Sequence, residues 1–449
     1  MILQKLLRLK LIQLVKTKLI FFLPFFLLSC FGPVKELKYQ IEDSFDDVDV
    51  YVDNPKPLSS EFKNSFDISI INSGSFPDIT KRNFKVAKDN ETIFYASIYG
   101  EVIALDTKKY NFLWSFTHNT QITSGIVFEK GFLFFVDYDG YLISLNSKGI
   151  MEWKAFAGEV FSHPLIINDN LILKTSSNDF ISFNIIDGSV NWKYQVPKSP
   201  LPTRSWGGIS HSEGIIYSGV GSGKVVAINL SSGTLVWETT YSSPKGVSEI
   251  ERSNDTTSDV IIDDFAVYTV SSNGDISAIN KSDGSILWKR PLSSFQGLVL
   301  NEDNLFITHN SGAIYCINKI SQKVLWRNSD LIGRDVSRGF VFKNYLIVSD
   351  YEGYVHFINI NDGLINSRLK VSDTILLPPL TINNEDILFM TSVNGDYSTI
   401  NVNLSNLIEK SFNEKTIEKD NIADNNDGDD KAQYNEDNDD LLDKLIFWD

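Results

Sequence analysis

One sentence recurs eight times in this chain. From Gly100, Gly140, Asn178, Gly223, Gly274, Gly312, Gly353 and Gly395, an Asx residue always follows six positions later: Asp106, Asn146, Asn184, Asn229, Asn280, Asn318, Asn359 and Asn401. The residue just before each Asx is large and apolar (Leu105, Leu145, Phe183, Ile228, Ile279, Ile317, Ile358, Ile400), as a core-facing strand position requires. Asn178 is the one substitute for glycine, and Asn is the next residue most willing to enter the left-handed region. A tryptophan closes six copies (Trp114, Trp153, Trp192, Trp237, Trp288, Trp326), whereas Ser367 and Glu409 stand there in the last two.

Another β-rich run precedes every copy, for example Leu133 to Val136 or Ala266 to Val270, and one more lies further upstream, for example His163 to Ile167. Each unit is therefore four strands in about forty residues, the size of a propeller blade. A single four-stranded sheet cannot bury both faces, so the blades must stack around an axis with the tryptophans filling the gaps. The expected fold is all-β: an eight-bladed propeller of four-stranded antiparallel blades over residues 65–410.

The ends of the array complete each other. Ser65 to Ser73 alternates like a strand ahead of the first blade, while the last repeat lacks its tryptophan and runs into polar sequence after Leu404. Joining them lets the N-terminal strand close the eighth blade and removes two open sheet edges.

Residues 1–29 read as a targeting segment: five basic residues and no acid, then the apolar run Leu19 to Leu28, too short to span a bilayer. It ends Leu27-Leu28-Ser29-Cys30, which resembles the bacterial lipoprotein signal and implies acylation at Cys30; a plain signal peptide with an incidental cysteine is the alternative. Residues 30–64, acidic and without periodicity, read as a flexible tether or as a segment folded onto the propeller. Residues 411–449 read as an acidic disordered tail, whose apolar end Leu441 to Trp448 is either a fraying end or a docking peptide.

Successive tryptophans lie 39, 39, 45, 51 and 38 residues apart, so extra chain sits after Trp192 and after Trp237. Both insertions, Lys193 to Trp206 and Glu238 to Ser258, join the outermost strand of one blade to the innermost strand of the next. Such connections cross one face of a propeller, and these two are neighbours. One raised, contiguous surface is expected, and loops on a rigid scaffold are where function concentrates.

Chemistry is hard to find. The five histidines (His118, His163, His211, His309, His356) are scattered, and none stands in metal-ligand spacing to another. His356 reads as a core or rim residue. The run Gly219-Val220-Gly221-Ser222-Gly223 lacks the helix and Lys-Ser/Thr pair of a phosphate loop and reads as a turn between strands. Cys316 takes a position held elsewhere by Ala104, Ser144, Ser182, Ala227 and Ala278, so a small buried residue is expected. A formal charge of −16 excludes nucleic acid as a partner. No catalytic group, cofactor or metal is expected.

The blade sentence resembles the tryptophan-docking repeats of quinoprotein dehydrogenases. Those enzymes use a vicinal cysteine pair, and one cysteine in the body cannot supply it, so the resemblance implies the fold and not the enzyme. A closer resemblance runs from about Phe66 to Asn403, to the BamB family of propeller lipoproteins in the bacterial outer-membrane β-barrel assembly machine. It is carried by Gly353-Tyr354-Val355-His356-Phe357-Ile358-Asn359 with Asp362-Gly363, by Ser285-Ile286-Leu287-Trp288-Lys289-Arg290, and most specifically by Glu249-Ile250-Glu251-Arg252.

That resemblance implies a non-enzymatic scaffold, lipid-anchored at the outer membrane and facing the periplasm. It would bind the POTRA domains of the central barrel protein, sit beside other machine subunits, and assist folding of outer-membrane proteins. The contact surface it implies includes Leu201, Arg204, Glu249, Arg252 and Asp255; Thr203 stands where the family has leucine, and Thr257 where it has an acid. The competing function is a quinoprotein-like enzyme or small-ligand binder using the axial channel.

Overall fold

A computed structural model describes residues 55, 57–75, 86–89, 91–197, 207–242, 254–374, 376–377, 379–381 and 387–404. They form eight four-stranded antiparallel sheets in sequence order around a ring, the expected eight-bladed propeller. Blade one is typical: Ala87–Lys88 lies innermost, followed by Thr92–Ala96, Glu101–Asp106 and, at the rim, Phe112–Thr117. In the eighth sheet the outer strand is Asp67–Ser75, paired antiparallel to Asp396–Asn403, so the N-terminal strand closes the ring as its alternation predicts.

The repeat's invariant residues each have a physical task. The Asx ends the third strand and turns the chain, its side-chain oxygen accepting backbone N–H groups two or three residues on: Lys108 to Asp106, Lys148 to Asn146, Ile186 to Asn184, Ser231 to Asn229, Ser282 to Asn280, Ile320 to Asn318, Asn361 to Asn359. Asn401 makes no such turn; it sits mid-strand opposite Ser69, because blade eight takes its last strand from elsewhere. Asn178 has φ 67°, alongside glycines such as Gly100 at 94° and Gly353 at 78°. Gly274 is the exception. Its φ is not positive, and what demands glycine there is crowding, since a Cβ would lie 2.1 Å from Ser242 Oγ.

Each tryptophan crosses to the next blade. Its indole N–H donates to the carbonyl after that blade's Asx: Trp114 to Ser147 at 2.9 Å, Trp192 to Leu230 at 2.8 Å, Trp237 to Lys281 at 3.1 Å, Trp326 to Ile360 at 2.8 Å. On its own sheet it faces the smallest residue of the third strand, as in Ala104 opposite Trp114, Ala227 opposite Trp237 and the buried Cys316 opposite Trp326. Ser367 inverts the pair: it faces Phe357, and Phe66 fills the space with ring centroids 4.9 Å from Tyr345 and 5.5 Å from Phe357.

The boundary expected between tether and propeller moves. Residues 57–64, counted with the tether for want of strand periodicity, lie on the propeller. Leu58 packs among Phe306, Trp326 and Leu331, and the Arg368 backbone N–H donates to Asn64 while its guanidinium lies 4.4 Å above the Phe62 ring. Leu58 and Phe62 are half-buried on the ring while Glu61 and Lys63 stay exposed, so the stretch sets its apolar side chains on the propeller and leaves its charges in water. Residues 1–54, with Cys30, and 405–449, with Glu409 and the apolar end, lie outside the described residues.

Candidate interaction face

Blade geometry puts two kinds of turn on one face: those between second and third strands, and the connections from each outer strand to the next inner one. The two long connections follow Val190–Tyr194 and Leu235–Thr240 and lead into Ser210–Ser212 and Ile261–Ile262, on adjacent blade junctions as expected. Leu201, Arg204, Glu249 and Arg252 lie in residues 198–206 and 243–253, outside the described residues. What the structure describes is the roots of both insertions.

The roots are packed on each other. Backbone of the second covers Gly207 so closely that a Cβ there would meet the Thr256 and Ser258 carbonyl oxygens at 2.8 and 2.7 Å. The Gly208 N–H donates to Asp259 Oδ1 at 2.8 Å, and the Ser210 hydroxyl donates to the Val260 carbonyl at 2.6 Å. Thr256 presses on Gly219, where any side chain would clash at 2.2 Å, and its hydroxyl is 2.7 Å from that of the buried Tyr241. Burial pushes the Tyr241 phenol up to about 12, so it stays a neutral hydrogen-bonding group.

Asp255, expected on the exposed contact surface, is only 8% exposed. Its Oδ1 accepts the Ser222 N–H at 3.3 Å, and its carbonyl accepts the Ser272 N–H at 2.9 Å. A short carboxylate just inside the end of an insertion reaches backbone donors of the neighbouring turn before it reaches solvent, so it braces the root.

Sequence reasoning missed the cation beneath both roots. Lys174 is 1% exposed; its Nζ donates to the Gly207 carbonyl at 2.7 Å and the Gly219 carbonyl at 2.6 Å, with Ser218 Oγ at 3.4 Å. Burial lowers its pKa to about 7, and the nearby carboxylates of Asp259 and Asp255 hold it from falling further. A signal was present. The same position four residues before each motif start is Ala96, Val136, Gly219, Val270, Thr308, Ser349 and Thr391 in the other blades, so this lysine is the one charge in the column.

The second buried charge cluster lies at blade seven. The Arg334 Nε donates to Asp350 Oδ2 at 2.7 Å, its other arm pairs with Glu352, and His356 Nε2 lies 3.0 Å from the same Asp350 oxygen. Burial raises the Asp350 carboxyl, but hydrogen bonds from His356 and Arg334 outweigh it and hold the group below its usual range; burial holds His356 below its own. Asp350 Oδ1 also accepts the Tyr354 N–H at 3.1 Å, so the cluster ties a turn to the sheet, with Arg334, Asp350 and His356 buried and Glu352 at its exposed edge. His356 is thus a core residue. Gly219 lies at the end of a strand, Ile215–Val220, and Gly221 to Gly223 form the turn after it. Among the described residues, no group of three or more His, Cys, Asp or Glu is placed to hold a metal ion.

A family profile described as outer membrane protein assembly factor BamB matches residues 99–328. The protein of that name from Burkholderia pseudomallei is 27% identical over 345 residues, covering 76% of this chain and 90% of the relative. The one from Shewanella oneidensis is 29% identical over 283 residues, covering 62% and 71%. Among solved structures, BamB from Moraxella catarrhalis matches with a TM-score of 0.67 at 22% identity, covering 74% of this chain and 99% of that one. Quinohemoprotein alcohol dehydrogenase from Comamonas testosteroni matches at 0.62 and 11% identity, covering 78% of each. At those identities the structural likenesses speak for the fold alone.

Proposed function

Because the chain belongs to the outer membrane protein assembly factor BamB family, we propose that it is a non-enzymatic scaffold of outer-membrane β-barrel assembly, gripping the periplasmic POTRA domains of the central barrel protein. The observation that carries this reading is the paired insertions. Two long connections begin and end at adjacent blade junctions of one face, and their roots are locked together by the Gly208–Asp259 and Ser210–Val260 hydrogen bonds. A surface held at fixed spacing on a rigid ring suits binding to a partner domain.

In this reading Leu201, Arg204, Glu249 and Arg252 make the contacts, and Asp255 holds the root beneath them. An Arg in such a position can grip a carboxylate through two parallel hydrogen bonds. Cys30 carries the lipid that keeps the protein at the periplasmic side of the outer membrane, beside the other machine subunits and its unfolded clients.

The test is capture of the barrel protein's purified POTRA domains by the full chain. Arg204→Glu and Arg252→Glu should each lower the affinity, by about 2 to 5 kcal/mol where the contact is buried. Thermal unfolding should stay as in the unaltered protein. Full capture by both folded variants would rule out this face.

A further inference from the structure

We propose that Lys174 is a positioning residue for the interaction face, its buried ammonium tying the root of the first insertion to the root of the second and so fixing their spacing. The proposal rests on reading this face as the partner-binding one. Its geometry is independent of that reading.

Lys174 ends the second strand of blade three, Asn170–Lys174, and its side chain leaves its own sheet for blade four. Of the acceptors it reaches, Gly207 belongs to the first root, and Gly219 and Ser218 to the blade-four strand Ile215–Val220 on which the second root is seated. Gly207 directly follows residues 198–206, and its carbonyl takes one N–H at 2.7 Å. Gly219 takes another at 2.6 Å and is the surface on which Thr256, just after residues 243–253, is seated. The charges facing the ammonium are Asp255 and Asp259, both from the second root. Asp259 in turn accepts the Gly208 N–H at 2.8 Å, and the Arg338 guanidinium approaches it at 3.4 Å. A single cation thus bonds one root through the Gly207 carbonyl and attracts the other through the charges of Asp255 and Asp259.

Filling the space does not require a cation. The other blades manage the column with alanine, valine, threonine, serine or glycine. Removing an ammonium from water is costly unless acceptors and counter-charges replace the lost hydration, and here the replacements are the Gly207 carbonyl and the Asp255 and Asp259 charges of the roots together with Gly219 and Ser218 of blade four. The burial makes the pin titratable, with a pKa lowered to about 7, so its hold on Asp255 and Asp259 should weaken as pH rises through neutrality.

The test uses the full chain and two readouts: amide exchange of residues 198–206 and 243–253, corrected for intrinsic rates, and affinity for the purified POTRA domains. Lys174→Met should speed exchange in both insertions together by about tenfold and weaken binding by a similar factor, leaving the inner strands of the blades protected. Asp259→Asn should move both readouts in the same direction. In the unaltered protein, exchange in both insertions should rise and affinity fall between pH 6 and pH 8, and Lys174→Met should show neither trend.

Unchanged exchange in Lys174→Met would overturn the proposal, as would a flat pH series in the unaltered chain. The pH series decides even if Lys174→Met fails to fold. If the POTRA domains do not bind the unaltered protein at all, the interface reading falls, and the exchange measurements still decide the role of Lys174.

Discussion

Ser367 shows how a missing residue can be explained by a missing target. Every tryptophan of the array donates its indole N–H to the turn of the following blade, and five of the six lie over a glycine of positive φ there; at Gly149, under Trp114 with φ 77°, an added Cβ would come 2.6 Å from the ring. Blade eight has no such turn, so a tryptophan on blade seven would have nothing to dock on. Ser367 takes its place, fully buried, its hydroxyl accepting the Ser65 N–H at 3.1 Å and leaving room for Phe66. The mirror case is the junction from blade eight to blade one. There the turn carries Tyr110 at φ 58°, which stacks 6.3 Å from Phe389. Trp237→Ala and Phe66→Ala should therefore each cost about 3 to 5 kcal/mol by chemical unfolding, and Ser367→Ala about 1 kcal/mol. Equal midpoints for the three would mean that Phe66 is not a plug. Lys174 gives a second residue-scale expectation. Its pKa is about 7 when folded against 10.5 as a free side chain, so between those values the unfolded chain holds the extra proton. Global stability should then rise with pH across that window, by up to about 1.4 kcal/mol per unit, while protection of the insertions falls. A stability profile that declines steadily from pH 7 to pH 9 would show that Lys174 does not control it.

Among the elements, the outer strands carry a shared device. In each of blades one to seven the pairing of third and fourth strands skips the residue before the tryptophan position: Leu113, Glu152, Asn191, Val236, Leu287, Leu325 and Asn366. The N-terminal strand does the same at Ile71, between Ile70 and Asn72. A bulge twists the rim strand and spoils its edge as a template for another chain, which eight open edges in one molecule would otherwise offer. The sequence made the blades, their number and the tryptophan docking legible, because identical residues at fixed spacing need no tertiary information. It could not show that Phe66 serves Ser367 some three hundred residues away, or that residues 57–64 leave the tether, because those contacts occur once and repeat nothing. The insertions were legible as length alone; the pin beneath them was one lysine in a column of small residues. Because the Arg368 guanidinium lies over the Phe62 ring and donates to the Ser59 carbonyl, Arg368→Ala should loosen residues 57–64 to proteolysis. The loss in global stability should stay within about 1 to 2 kcal/mol, as for a lost contact at a partly exposed site. Cleavage no faster than in the unaltered chain would mean that the arm is held by Leu58 and its neighbours instead.

At the scale of the whole molecule, the arm and the insertions share a face. Pro55 lies against Gly333, where a Cβ would come within 3.2 Å of the proline Cα, and Gly333 belongs to the connection from blade six to blade seven. That connection joins an outer strand to the next inner one, as the two insertions do. Pro55, the first described residue, therefore lies on the face that carries the proposed interface. If Cys30 is the lipid anchor proposed above, the twenty-odd residues between it and Pro55 would span roughly 25 to 30 Å as a flexible coil, and the anchor would bias which face meets a partner held at the membrane. Cys30→Ala should release the protein from membranes after a high-salt wash while leaving its affinity for isolated POTRA domains unchanged, since the lipid contributes proximity and no contact. A variant deleted for residues 31–50 should stay membrane-bound and bind the isolated domains equally well, yet capture less of the intact barrel protein, because the shortened leash holds the face too close to the bilayer. Equal capture by the shortened and full-length proteins would show that the leash sets only attachment, and that the two insertions find their partner without help from the anchor.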